Sequence, residues 1–374
     1  MASNDTRYIF VVEWYDKAAS LVRTYNLTYF THDKSIEMYD LKNKRVFLKR
    51  NEFPMDEKEF YLGNLITVFS RQLKIVDFAD VFTRQRFQEA KQRTFAMIKP
   101  DAYNHLGKII SKIEESSLLI ANMKMTKFSI QDAQEFYAEH KGKPFYETLT
   151  NFMSSDFIVG FELVGENAIK IWRELLGPTN SLVAKEQAPN SIRGLFGTDG
   201  TKNACHGSDS PNSAFRELNF FFSEKSQLQT TAIFNNCTCC VIKPHIVKSR
   251  QVGQIIDYIL REGYEISALQ TFTLDLPSAE EFYDVYRGVV PEFNSLAEHL
   301  TSGMCVALEV RQENVVSSFR QLCGPHDPEI GKVICENTIR SKFGIDRVRN
   351  GVHCTDLEED GILEVEYFFN ILQK

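Results

Sequence analysis

The sequence predicts an α+β chain in three parts, a small β-rich domain followed by two tandem ferredoxin-like α/β domains. Three observations carry this. Long stretches of the chain repeat one another in the same order. Each copy alternates strand-like and helix-like segments. Residues 1–90 do neither, reading instead as short strands separated by turns.

The repeat is seen when the chain is compared with itself. FAMIKPDAYNHLGKII (95–110) returns as CVIKPHIVKSRQVGQII (240–256), and WRELLGPTN (172–180) as FRQLCGPHD (319–327). SIRGLFGTDGTKNACHGSD (191–209) returns as TIRSKFGIDRVRNGVHCTD (338–356). The offset is 144 residues between Lys99 and Lys243 and 147 between His206 and His353. So long a period exceeds any solenoid unit and means two homologous domains, placed at 91–222 and 238–374. In both copies an arginine stands 13 residues before the histidine and an asparagine three before it.

In the first copy TFAMIK, LLIANMKMTKF and DFIVGFELVG read as strands. GKIISKIEES, IQDAQEFYAEH and ENAIKIWRELLG read as helices, the first carrying Ile109, Ile110 and Ile113 on one face and the last ending at Gly177. NACHGSDS reads as a loop. The SDSP that follows starts another helix, with Ser210 as N-cap and Pro211 as the first helical residue. Two interleaved β-α-β units of this kind predict a small sheet with helices on one face. In the N-terminal part RYIFVVEWYD, LVRTYNLTYF, SIEMYD, RVFLKR, LITVFS and QLKIVDF are aromatic and β-branched strands. TRQRFQEAKQR (83–93) and SEKSQLQTTAIFNN (223–236) read as the two connectors.

Composition bounds the function. The 374 residues are 43% apolar and 25% charged, as in an ordinary globular protein, and a net charge of −7 opposes wholesale binding of nucleic acid or anionic membrane. MASNDTRYIF lacks a secretory signal pattern, and no apolar run reaches transmembrane length, so a cytosolic or cytoskeletal location is expected. The eight cysteines all follow residue 204, a distribution that favours reduced thiols. CTCC (237–240) has no second C-x-x-C or histidine pair to complete a zinc site and reads as the start of a buried strand.

Phosphoryl transfer asks for cations on the phosphate oxygens and a positioned nucleophile. Lys99, Arg173, Thr179, Arg193, Asn203 and His206 form such a set, and no G-x-x-x-x-G-K-[ST] loop is present, so side chains would hold the phosphates. Neutral imidazole is a good carrier near pH 7. The lysine, both arginines, the asparagine and the histidine recur in register in the second copy.

KPD, KPF, LGPTN, IRGLF and N-A-C-HGSDS strongly resemble the nucleoside diphosphate kinase family, over 91–222 and again over 238–372. The N-terminal part resembles the DM-ten module, a PH-like domain. The resemblance implies a ping-pong transfer through phosphohistidine, with magnesium as cofactor and ATP or another nucleoside triphosphate as donor. It implies His206 as carrier, Glu217 as the carboxylate orienting its ring, and Lys99, Tyr137, Arg173, Thr179, Arg193 and Asn203 around the phosphates and ribose. Phe145 takes the place of the aromatic that stacks on the base, with Lys143 where arginine is usual and Gly200 where an apolar residue is usual. The second copy keeps Lys243, Tyr283, Arg320, Arg340, Asn350, His353 and Glu364. It departs at His245 (KPH for KPD), Pro291 at the stacking position, His326 at the threonine position, and HCTD for HGSD. A degenerate pocket is therefore expected there, with activity residing in the first copy.

The segment before each IR motif is about three residues longer than the family pattern, which opposes the usual hexamer and suits pairing of the copies within one chain. The three-part arrangement closely matches one member of the family. That match implies cilium, axoneme and centrosome locations, with tubulin of doublet microtubules, other axonemal proteins and the γ-tubulin ring complex as partners. KNKRVFLKR (42–50) is a candidate contact with acidic surfaces or, more simply, a charged edge strand.

Overall fold

The computed structural model describes residues 6–53, 55–88, 91–223 and 225–373. Six antiparallel strands form the N-terminal sheet: β1 (Arg7–Asp16), β2 (Leu21–Phe30), β3 (Ser35–Asp40), β4 (Arg45–Glu52), β5 (Leu65–Val68) and β6 (Arg71–Phe78), in the order β4-β3-β2-β1-β6-β5. Alternation along β1 and β2 puts Tyr8, Phe10, Val12, Tyr25, Leu27 and Tyr29 inside, on the face that Phe60 and Phe87 cover. Phe87 belongs to a helix, Val81–Gln88, so the first half of the expected connector packs against this domain.

The remaining strands form one eight-stranded sheet. They are β7 (Gln92–Ile98), β8 (Leu119–Thr126), β9 (Ile158–Gly165), β10 (Cys205–Gly207), β11 (Cys237–Ile242), β12 (Glu265–Phe272), β13 (Cys305–Arg311) and β14 (Val352–Cys354). The order β10-β7-β9-β8-β12-β13-β11-β14 is the ferredoxin-like 4-1-3-2 arrangement of one repeat joined edge to edge with its counterpart. The joint is short: Gln270 opposes Lys124, and Thr271 Oγ1 accepts from Met123 N at 3.0 Å.

Helices Leu106–Glu115 and Val252–Arg261 close the joint on one face. They cross backbone to backbone. A Cβ on Gly107 would lie 2.2 Å from Asp257 N, and one on Gly253 would lie 2.4 Å from Ser111 N. Glu114 caps the second helix, accepting from Val252 N and Gly253 N at 2.9 Å each. The copies therefore do pair within one chain, around a shared core that includes Ile109, Ile110, Ile255 and Ile256.

Helices cover both faces of the sheet, not one as expected. Leu106–Glu115 and Ala168–Leu176 lie on the shared-core face, while Ile130–Phe136, Tyr146–Met153 and Pro211–Phe222 pack on the other around Phe95, Met97 and Phe221. The reason is visible in β7 and β9, whose central residues are buried without alternation, as in strands apolar on both sides. CTCC lies in β11, with Cys237, Cys239 and Cys240 buried, and burial pushes all three thiols up. No helix among the described residues is long and apolar enough to cross a membrane.

Candidate active site

His206 lies on β10, a three-residue strand paired with β7, where a loop was expected. Ala204, two residues before it, has φ +66°, a left-handed conformation unfavourable for a residue with a Cβ. It is held from both sides: its carbonyl accepts from Lys99 N at 2.8 Å, and its N–H donates to Asp101 Oδ2 at 3.0 Å. Ser210 and Pro211 start the next helix as predicted, with a capping box to Ser213. That helix brings Glu217 back beneath the histidine.

The His206 ring sits among Phe95, Phe136 and Tyr137, with the Phe136 and Tyr137 rings edge-on to it. Its Nε2 lies 3.1 Å from Glu217 Oε2, close but not aligned as a hydrogen bond. The buried Glu217 Oε2 also accepts from Ser208 Oγ at 2.7 Å. With Nε2 turned to the carboxylate, Nδ1 is the nitrogen left for a substrate.

The cations sit behind this. Lys99 Nζ donates to Asn203 Oδ1 at 2.7 Å and to Thr201 O, and burial beside Arg193 brings its ammonium down to about 8. Asn203 Nδ2 donates to Thr179 O and Gly200 O. Arg193 donates to Gly177 O and Cys205 O, leaving a buried, unpartnered Nε. The Tyr137 hydroxyl is likewise buried and unpartnered, and burial pushes it up. Arg173 is exposed but close enough for its charge to act on both Arg193 and Asp209. Phe145 is 46% exposed, edge-on to the His140 ring that stacks on Tyr137, and open space lies beside Gly200. Buried donors without acceptors beside a histidine suit the anionic oxygens of a nucleotide, and an exposed aromatic ring suits its flat base.

The family pattern for nucleoside diphosphate kinase matches residues 92–227 and again 236–373, and that for the nucleoside diphosphate kinase 7 N-terminal PH domain matches residues 2–89. The chain is 46% identical over 369 residues to nucleoside diphosphate kinase homolog 7 of Rattus norvegicus, covering 98% of this chain and 93% of that protein. The Mus musculus homolog 7 is 44% identical over the same spans. A nucleoside diphosphate kinase of Aquifex aeolicus is 48% identical over 136 residues, 36% of this chain and 96% of its own. The chain belongs to the nucleoside diphosphate kinase family.

The second kinase site is built on the same frame. His353 Nε2 is 2.7 Å from Glu364 Oε2, in a hydrogen bond, and the same oxygen accepts from Thr355 Oγ1 at 2.8 Å. Lys243 Nζ donates to Asn350 Oδ1 at 2.7 Å, and burial with Arg340 nearby brings it to about 7. A cavity of about 980 Å³ opens here, lined by Lys243, Tyr286, Arg320, Arg340, Asn350 and His353 among others. The lysine–asparagine and histidine–glutamate pairs of the first repeat are thus present here, beside an open cavity, and the two repeats differ in the groups around them. Arg340 spends its donors on Val352 O, Gly324 O and Cys354 Sγ. Arg320 is tied to Asp356 through both its carbonyl and carboxylate. His326 lies beside Asn350, whose Nδ2 donates to the His326 carbonyl at 3.1 Å. His353 has a side chain 5% exposed against 19% for His206.

Sequence reasoning missed four supports of these two sites: the Asp101 grip on Ala204, the Ser208 and Thr355 hydroxyls on the glutamates, Trp172, and His299, which lies 2.9 Å from His245. The KPD, HGSD and HCTD strings contain three of these residues, Asp101, Ser208 and Thr355, and were the available signal. Trp172 Nε1 donates to His206 O at 3.2 Å from another helix, and nothing local announces that.

Proposed function

We propose that the chain transfers the terminal phosphoryl group of a nucleoside triphosphate to a nucleoside diphosphate, with His206 as principal carrier. The supporting observation is the His206–Glu217 pair set among buried, unpartnered donors of Arg193 and Tyr137. In this reading Nδ1 of His206 attacks the γ-phosphorus, the bond to the β–γ bridging oxygen breaks, and the nucleoside diphosphate leaves with that electron pair. A second nucleoside diphosphate then takes the phosphoryl group from Nδ1. Glu217 holds the ring and balances the Nε2–H side while Nδ1 carries the phosphoryl group. Lys99, Arg193, Tyr137 and Arg173 meet the phosphate oxygens, and Phe145 stacks on the base. Magnesium bound to the substrate's own phosphates would neutralise part of their charge.

The second site, with Pro291 in place of a stacking aromatic and Arg320 engaged by Asp356, holds the base poorly and loads His353 more slowly. Labelled nucleoside triphosphate with magnesium should leave acid-labile phosphate on the chain. His206→Ala should remove most of it and His353→Ala little. No acid-labile label on the unmutated protein would end this reading.

A structural role in cilia and centrosomes, on doublet microtubules beside other axonemal proteins or in the γ-tubulin ring complex, is the second reading. It is supported by β4, an edge strand of the N-terminal sheet, largely exposed, carrying Arg45, Lys49 and Arg50. Acidic tubulin surfaces are the partner that such a strand suits. Co-sedimentation with microtubules that survives Lys42→Glu, Arg45→Glu and Lys49→Glu together would exclude this strand as the contact.

A further inference from the structure

His245 stands where the first repeat has Asp101, and the two do the same work with different chemistry. Asp101 Oδ2 accepts the N–H of Ala204, and His245 Nε2 accepts the N–H of Gly351 at 3.2 Å. Both acceptors hold the left-handed residue that precedes the site histidine, since Gly351 has φ +88°. The carbonyl of Gly351 is held by Lys243 N at 3.0 Å, so this turn carries Asn350 on one side and His353 on the other.

A ring nitrogen that accepts carries no proton. The His245 proton is therefore on Nδ1, which lies 2.9 Å from His299 Nε2 and donates to it. His299 in turn keeps its proton on Nδ1, on the side of Ser302. Burial and the neighbouring Lys243 charge bring His245 to about 4 and His299 to about 3, so both rings are neutral near pH 7. In the first repeat the position of His299 on the corresponding helix, Tyr146–Met153, is occupied by Phe152. Two positions, 51 residues apart in the first repeat and 54 in the second, thus differ together between the repeats: Asp101 with Phe152, and His245 with His299.

We propose that His245, held by His299, is a positioning residue of the second site, a neutral imidazole pair replacing the single carboxylate that fixes the His206 segment. KPH is in this light a compensated exchange. A lone histidine at position 245 could rotate or take the other tautomer, and His299 prevents both by accepting from Nδ1. The consequence for phosphorylation rests on the proposed function of His353; the tautomer does not.

The test uses the full chain carrying His206→Ala, so that acid-labile label reports His353 alone. His245→Ala and His299→Phe should each slow labelling about tenfold, with thermal midpoints showing the chain folded. His245→Asp combined with His299→Phe, the pair of the first repeat, should restore labelling to within about twofold. Labelling unchanged by His299→Phe, or a double variant as slow as the single ones, overturns the relay. Nitrogen NMR of the full chain with labelled histidine, assigned by loss of signals in His245→Ala, supplies the independent readout. A bare Nε2 and protonated Nδ1 on His245 support the proposal, and a protonated Nε2 overturns it. If the parent takes no label, the reading of His353 as a carrier falls, and the NMR result decides the relay by itself.

Discussion

Gly207 lies against Trp172 so closely that a Cβ on the glycine would stand 2.5 Å from the indole Cδ1 and Nε1. The second site has Cys354 at the glycine position and Phe319 at the tryptophan position, both buried. The smaller ring makes room for the thiol, so the cysteine of HCTD goes with an exchange in the neighbouring helix. Gly207→Cys alone should displace the His206 strand and cut phosphohistidine at His206 by more than about tenfold. Adding Trp172→Phe should recover much of that loss, because the clash is removed. Acid-labile labelling of the single and double variants measures it; equal loss in both would show that volume is not the cause.

Glu217 and Glu364 each meet their histidine and a hydroxyl through one oxygen. Replacing either with glutamine keeps the shape and removes the charge that supports a phosphorylated ring. Glu217→Gln should lower the rate of His206 labelling about 10- to 100-fold while nucleotide affinity changes little. Single-turnover labelling over a range of nucleotide concentrations separates the two effects.

Burial first and a neighbouring arginine second bring Lys99 down to about 8 and Lys243 down to about 7. A phosphate binds the ammonium form, which exists below the lowered value and is lost as pH rises through it. Affinity at the first site should therefore hold up to pH 8 and fall about tenfold per unit above it. At the second site the fall begins about one unit lower. Binding above these values takes up a proton. Calorimetry in buffers of different ionisation heat, with Lys99→Met and Lys243→Met variants to separate the sites, gives the proton count; release of protons would contradict the sign.

Gly107 and Gly253 let two helices meet backbone to backbone at the joint of the repeats. Gly253→Val has nowhere to put its side chain, since Ser111 N and Gly107 O would lie within 2.6 Å of the Cβ alone. It should cost about 3 kcal/mol or more, read from chemical unfolding, and enlarge the hydrodynamic radius. Val252, on the same helix, is the control: Val252→Ala should cost clearly less.

The strands of the N-terminal sheet were legible from alternation of aromatic and β-branched residues, which follows directly from the period of a pleated strand. β10 was not, because three residues are too few to show any period. Helices on the second face were hidden for a related reason: TFAMIK and IVGFELVG are mostly apolar without alternation, and such a run tells only of burial, not of what covers each side.

By itself the sequence determined the tandem repeat, the ferredoxin-like units and the residues gathered about His206 and His353, because side-chain type and spacing record burial and chemistry locally. Only the tertiary structure decided that the copies share one sheet and one core, that Trp172 requires Gly207, and that His299 holds His245. Each of those depends on atoms brought within a few ångströms from segments 30 to 150 residues apart, a distance set by packing, which leaves no periodic trace along the chain.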